Sequence, residues 1–363
     1  MTYDSVLDDL IERIAAARSR KVPLRIVGGD TKRFYGEEIE EQILDMKAVT
    51  GISSYEPSEL VITARAGTPL VELEAVLGDR GQWLPFEPPR FAPGGTVGGM
   101  VAAGLSGPSR VSAGAVRDHV LGACMLNGRG ELLRFGGQVI KNVAGYDVSR
   151  LLAGSLGVLG VICEVSLKVL PLPPMCASLR FEVGEAQALE RLAVLASTPL
   201  PLSASAWSDG KLTLRMSGAA AAVRAAVDRL GGEMISDEAA GCYWEGLRDQ
   251  TAPFFADAGR AVQSGAALWR LAMPPSAPPL GLPGECLIEW GGAQRWLCTN
   301  AAAAAVRSAA AALGGYATLY RAIDKSPGVF HSLTPALARI HRDLKHAFDP
   351  DGLLNPGRLY PNL

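Results

Sequence analysis

The first apolar pattern in the chain is helical. Val6, Leu7, Leu10, Ile11, Ile14 and Ala17 fall on one face, and Asp4 or Ser5 stands where a cap belongs. Asp8, Asp9 and Glu12 lie early and Arg18, Arg20 and Lys21 late, the polarity a helix macrodipole favours. Short apolar runs then predict strands over Leu24–Val27, Leu60–Ala64, Val120–Leu126, Glu131–Phe135 and Val158–Val169. Asn127-Gly128-Arg129-Gly130 between two of these reads as a hairpin. Pro69 opens a helix that runs to about Leu77, with Gly78 as its stop.

The breaker run Pro171–Pro174 marks a domain exit, and the pattern beyond it changes. Strands are expected over Leu179–Val183, Ala204–Trp207 and Leu212–Met216, and helices over Ala186–Ala196 and Ala219–Leu230. That β-α-β-β-α order points to a split βαβ, ferredoxin-like layer. Leu268–Met273 and Cys286–Trp290 add strands around a second breaker stretch, Pro274–Pro283. Ala301–Leu313 and Pro335–Phe348 add helices. The expected organisation is an α+β chain in three parts: 1–174, 175–330 and 331–363.

Composition narrows the function classes. A formal net charge of −2 over 363 residues leaves no basic stripe for nucleic acid. No apolar run is long enough to span a membrane, and the acidic amphipathic N-terminus is the wrong chemistry for an export signal. The six cysteines are scattered without a CxxC, so neither an iron–sulfur cluster nor structural zinc is indicated, and reduced thiols are expected.

Glycine carries the candidate chemistry. Pro93–Asp118 holds Gly94, Gly95, Gly98, Gly99, Gly104, Gly107 and Gly114, a density that points to sharp turns or to a ligand touching bare backbone. Phosphates are the usual ligands of such backbone. The strand Leu24–Val27 runs into Gly28-Gly29-Asp30-Thr31-Lys32, whose N–H groups and Thr31 hydroxyl suit a phosphate or an ordinary tight turn. It fits neither a Rossmann fingerprint nor a P-loop, which argues against NAD(P) and ATP. Gly154, Gly157 and Gly160 recur every three residues before a strand and allow close approach to a flat ring or to a sheet. The tail Phe348–Arg358, with Leu354-Asn355-Pro356-Gly357, is the fourth such segment.

In order and wording these four segments resemble the FAD-binding domain of the vanillyl-alcohol-oxidase/PCMH flavoprotein superfamily, through about residues 1–174 and again in the tail. Longer strings narrow the resemblance to the E-subunit family of bacterial glycolate oxidases. They are Phe34–Gly36, Glu59–Pro69, Phe86–Pro89, Val101–Pro108, Ser112–Asp118 and Phe135–Asp147, the last including Lys141 and Asn142. The resemblance implies a two-part PCMH-type FAD domain, a ferredoxin-like cap and a C-terminal helix whose tail returns to the flavin. It implies non-covalent FAD, since the first loop lacks the histidine of covalently linked subfamilies. The implied cofactor residues are Val27, Gly28, Gly29, Asp30, Thr31, Lys32, Pro93, Gly94, Gly95, Thr96, Gly98, Gly99, Gly114, Arg117, Asp118, Gly154, Gly157, Gly160, Val161, Ile162 and Asn355.

One departure stands out: Asp30 occupies the place of the family's third glycine, and a carboxylate there repels a diphosphate unless it turns away or pairs with Lys32 or Arg33. The four histidines, 119, 331, 341 and 346, lack metal-ligand spacing. Arg117, Arg150, Arg270, Arg321 and Arg358 are candidates for a substrate carboxylate, and Glu87 and Tyr146 for site-facing groups. No catalytic residue is assigned and no metal is expected. The implied function is the FAD-binding part of a complex oxidising glycolate or another small 2-hydroxy acid. A paralogous FAD-linked subunit and an iron–sulfur subunit are its expected partners, with electrons passing to the quinone pool at the inner face of the membrane. A self-sufficient FAD-linked dehydrogenase and a cofactor-free scaffold are the alternatives.

Overall fold

A set of side-chain hydrogen bonds carries a short excursion of the glycine-rich segment away from its neighbours in sequence. The Arg215 guanidinium donates to Ser109 Oγ at 2.5 Å and to Ser203 Oγ at 3.2 Å; Ser112 Oγ donates to the Ser203 carbonyl at 2.9 Å, and the Trp290 indole to the Gly107 carbonyl at 3.0 Å. In the computed structural model, which describes residues 3–137 and 146–363, the chain divides accordingly. One unit is Met1–Leu105, Ala115–Pro171 and Ser332–Leu363; the other is Ser106–Gly114 and Leu172–His331. The chain is α+β, as its pattern predicts.

In the first unit, five antiparallel strands lie in the order Ile52–Glu56, Val61–Arg65, Val161–Lys168, Val120–Leu126 and Leu132–Gly136. Val120–Leu126 is buried at all seven positions, which explains its unbroken apolar run: both faces of the sheet are covered. One face packs Ile62, Val165 and Leu167 against Leu70, Leu73 and Leu77 of the helix Leu70–Gly78 and against Met100 and Val101 of the helix Val97–Ala103. The other packs Leu126, Val161 and Cys163 against Leu10, Ile14 and Ala17 of the helix Tyr3–Arg20. Burying a leucine or isoleucine in such a layer contributes about 1.5–3 kcal/mol.

Beside this sheet, Leu24–Val27 pairs in parallel with Gln42–Asp45, and on its other side Leu24 bridges Leu354. The Leu24 N–H donates to the Leu353 carbonyl at 2.7 Å and the Asn355 N–H to the Leu24 carbonyl at 2.9 Å, so the tail closes on the first strand. The helix Pro335–Phe348 feeds that tail. Its Lys345 is buried, and Nζ donates to Asp349 Oδ2 at 2.6 Å and to the carbonyls of Leu354 and Val158 at 2.7 and 2.8 Å. Asp349 in turn accepts the N–H groups of Leu353 and Leu354.

The second unit is an eight-stranded antiparallel sheet. Its first half runs strand Met175–Glu182, helix Glu185–Ala196, strands Leu202–Ser208 and Lys211–Gly218, helix Ala220–Leu230, strand Glu233–Ile235. The spatial order, fourth strand, first, third, second, is the expected ferredoxin-like arrangement. A second half repeats that order with strands Ala267–Ala272, Glu285–Glu289, Gln294–Thr299 and Tyr316–Arg321, and the halves join through Leu202–Ser208 and Glu285–Glu289. Here the proline-rich 274–283 stretch stands where the first helix of the repeat would be.

Candidate functional site

The first strand delivers Gly28 and Gly29 to a point where two loops touch. A Cβ on Gly28 would strike the Thr96 side chain, and one on Gly29 would fall on the Gly94 carbonyl. The glycines are therefore required by the approach of the loops to each other, before any ligand is considered. Thr96 caps the helix Val97–Ala103, its hydroxyl accepting the Gly99 N–H at 3.2 Å. Gly98 lies against Ala66 with no room for a side chain and donates to its carbonyl at 2.7 Å. The N–H of Val97 goes to Thr68. The first turn of this helix is thus satisfied by protein.

The first loop differs. Among the described residues, no acceptor takes the N–H groups of Gly28, Gly29, Asp30 or Thr31. These four residues line a cavity together with Val27, Lys32, Thr96, Gly98, Gly99, Gly157, Gly160, Ile162 and Asn355. Among the described residues its basic side chains are Arg25, Lys32, Arg33 and Arg358, and its one carboxylate is Asp30. Its lining also includes the apolar residues Met46, Ala66, Ala102, Ala103, Leu156 and Ile162. Backbone donors without acceptors among the described residues, together with cations and apolar side chains, suit a dinucleotide, whose diphosphate takes the donors and whose ring systems take the apolar surface. The residues present therefore fit FAD.

Asp30 resolves its own difficulty with a partner that sequence order did not suggest. It pairs with Arg25, Nη1 to Oδ1 at 3.2 Å, instead of Lys32 or Arg33. Its φ of +53° lies in the left-handed region that glycine takes freely and aspartate tolerates. Asn355, at φ +44° and buried, is a bracket between two lining segments. Its Oδ1 accepts the Ile26 N–H at 2.7 Å and its Nδ2 donates to the Leu156 carbonyl at 2.6 Å.

Eight of the expected cofactor residues do not line the cavity. Pro93, Gly94 and Gly95 form the outer loop: Gly94 backs Gly29, and the Gly95 carbonyl accepts the Leu70 N–H at 2.8 Å. Gly154 packs on Gly104, donating to the Val101 carbonyl at 3.0 Å. Val161 points into the layer under the first helix. Gly114 belongs to the second unit, and Arg117 and Asp118 are exposed, with the Asp118 carboxylate accepting the Ala115 N–H at 2.8 Å. Neither Glu87 nor Tyr146 lines the cavity, and Tyr146 is 96% exposed. Residues 138–145 of the string Phe135–Asp147, Lys141 and Asn142 among them, lie outside the described residues.

Four of the five arginines named for a substrate carboxylate have protein partners. Arg150 pairs with Asp147 at 3.4 Å, Arg270 donates to Gln294 Oε1 at 2.7 Å and lies over the Trp290 ring, and Arg321 lies over Tyr320. Arg358 holds loop carbonyls, and burial pulls its pKa down against the opposing effect of Asp30. His119 is buried against Phe86, with Nδ1 3.2 Å from the Lys168 carbonyl. Among the described residues no three His, Cys, Asp or Glu side chains are grouped to hold a metal ion. Sequence reasoning missed Arg25, Arg33, Ile39, Met46, Ala66 and Leu156 as lining residues. Arg25 and Arg33 flank the first glycine loop and Leu156 lies within the third glycine segment; Ile39 and Met46 lie either side of Gln42–Asp45, the strand paired with Leu24–Val27, and Ala66 directly follows Val61–Arg65.

Comparison with known proteins agrees with the cavity. A family model described as an FAD binding domain matches residues 6–136. The glycolate oxidase subunit GlcE of Escherichia coli is 47% identical over 354 residues, covering 98% of this chain and 97% of that protein. The glycolate oxidase subunit GlcD of Bacillus subtilis is 27% identical over 46% of this chain and 36% of its own. A mitochondrial cytochrome-type D-lactate dehydrogenase of Arabidopsis thaliana is 28% identical over 46% and 29% respectively. Among solved structures, an alkyldihydroxyacetonephosphate synthase shares the fold with a TM-score of 0.63 at 14% identity, over 96% of this chain and 75% of that one.

Proposed function

The chain belongs to the family of the glycolate oxidase E subunit, within the PCMH-type FAD-linked oxidases, and on that premise we propose that it is the FAD-binding subunit of a glycolate-oxidising complex. The observation that carries the reading is the cavity at Val27–Lys32, with four N–H groups that have no acceptor among the described residues and with apolar residues in its lining. Gly28–Thr31 would hold the diphosphate, with Lys32 and Arg33 supplying positive charge. Met46, Ala102, Leu156 and Ile162 would exclude water from the ring end. When bound, FAD accepts the hydride released as a 2-hydroxy acid becomes a 2-oxo acid. Asn355 and Arg358 hold the segments that surround the cofactor.

Substrate turnover in this reading is shared with a paralogous FAD-linked subunit, and an iron–sulfur subunit carries the electrons onward to quinone. Among the described residues no helix is long and apolar enough to cross a membrane. The reading accordingly puts the chain on the cytoplasmic side, meeting the membrane through its partners. The test is expression of the chain alone and with its genomic neighbours. Glycolate-dependent dye reduction is expected only from the assembled set. Full activity from the lone chain would replace this reading with that of a self-sufficient dehydrogenase.

A further inference from the structure

Four carbonyl oxygens of the first loop converge on a single guanidinium from the other end of the chain. Arg358 Nη2 donates to the carbonyls of Tyr35 at 2.6 Å, Arg33 at 2.8 Å and Lys32 at 3.3 Å, and Nη1 donates to that of Glu37. The Glu37 N–H returns a bond to the Arg358 carbonyl at 3.0 Å. Gly36, at φ +97°, permits this closure: a Cβ there would lie 2.9 Å from the Arg358 carbonyl and 3.2 Å from its Nε. Upstream in the same loop, the N–H groups of Gly28–Thr31 have no acceptor among the described residues and line the cavity.

We propose that Arg358 is a positioning residue for the cofactor's diphosphate, holding residues 32–37 so that the donors of Gly28–Thr31 stay directed to the ligand. The proposal rests on the reading of the cavity as the seat of FAD. A planar fork with several donors can gather carbonyls from four residues, whereas a lysine ammonium is a point charge that cannot span them. The effect is therefore one of shape as well as charge, and it is confined to the diphosphate end. The ring-facing residues Met46 and Ile162 come from other elements.

The test compares full-length wild type, Arg358→Lys, Arg358→Met and Gly36→Ala by titration with FAD, ADP, riboflavin and AMP. FAD and ADP carry the diphosphate; riboflavin and AMP do not. Losing hydrogen bonds to a charged donor predicts FAD and ADP binding weaker by roughly tenfold to a hundredfold in both arginine variants. Riboflavin and AMP affinities should stay within about twofold of wild type, as the diphosphate end alone is disturbed. Gly36→Ala, which displaces the loop while keeping the arginine, should reproduce the pattern and stands in if Arg358→Met does not fold. Wild-type FAD affinity in Arg358→Lys would show that charge alone suffices and overturn the proposal. So would a loss of equal size for riboflavin and FAD. A wild-type chain that binds neither FAD nor ADP would overturn the FAD reading itself, and this proposal with it.

Discussion

Replacing Asn355 by alanine should loosen the wall of the cavity without altering a glycine. The side chain is on a residue only 5% exposed, and both polar ends are engaged, one by the Ile26 N–H and one by the Leu156 carbonyl. Truncation leaves a buried donor and a buried acceptor, each costing about 1–3 kcal/mol when unsatisfied. Alanine at φ +44° adds roughly 1–2 kcal/mol of backbone strain. Water entering the cavity offsets part of the first loss, so the expected destabilisation is about 3–5 kcal/mol. Asn355→Gly separates the two effects, because it loses the same hydrogen bonds without the strain. Urea unfolding followed by circular dichroism measures both variants, and the glycine variant should recover about 1–2 kcal/mol of the alanine variant's loss. FAD titration of the folded protein should also show weaker binding, since the strand leading to Gly28 and the crossover at Leu156 lose their common tether. A loss below about 1 kcal/mol in Asn355→Ala, an ordinary surface value, would refute the bracket.

Three further outcomes follow from the same geometry. Asp30→Gly removes the one carboxylate lining the cavity and suits the left-handed backbone there; FAD should bind roughly threefold to tenfold more tightly, by fluorescence titration, with stability changed by less than about 1 kcal/mol because the Arg25 pair is partly exposed. Lys345→Met leaves the buried Asp349 carboxylate without its cation, and urea unfolding should show a loss of about 3–5 kcal/mol. Burial pushes the Cys286 thiol up to about 12 and raises that of Cys163 as well. Because the folded values lie above an unfolded value of about 8.5, the stability these thiols contribute is complete below that pH and is lost as pH rises towards 12. Thermal melts across that range should fall, and fall less steeply in Cys163→Ser.

Much of the first unit was legible because its signals are local. The helix Tyr3–Arg20, the strand Leu24–Val27 and the fully buried strand Val120–Leu126 each carry their own periodicity or composition. What escaped was decided by tertiary contact. The helix Val97–Ala103 begins Val-Gly-Gly, a poor helix former, and forms because Gly98 must lie against Ala66 and Thr96 caps it. Gln42–Asp45 has no alternation and is a strand only through its pairing with Leu24–Val27. In the second unit, the amphipathic helices Asp237–Arg248 and Pro253–Gln263 and the strands Gln294–Thr299 and Tyr316–Arg321 were not anticipated, so the repeat of the four-stranded order stayed hidden. At the site, glycine-rich wording located the loops but could not separate glycines that face a ligand from those such as Gly94, which faces Gly29, or Gly154, which takes φ +82°. Arg358 was invisible as a loop organiser because its partners are carbonyls, which leave no trace in residue type.

The most direct test of FAD as this chain's non-covalent cofactor is the visible spectrum of the purified full-length protein, followed by acid precipitation. The expected result is a flavin spectrum at one FAD per chain, with the flavin released intact into the supernatant. A colourless protein that stays colourless after incubation with FAD, or flavin that remains in the precipitate, would contradict it.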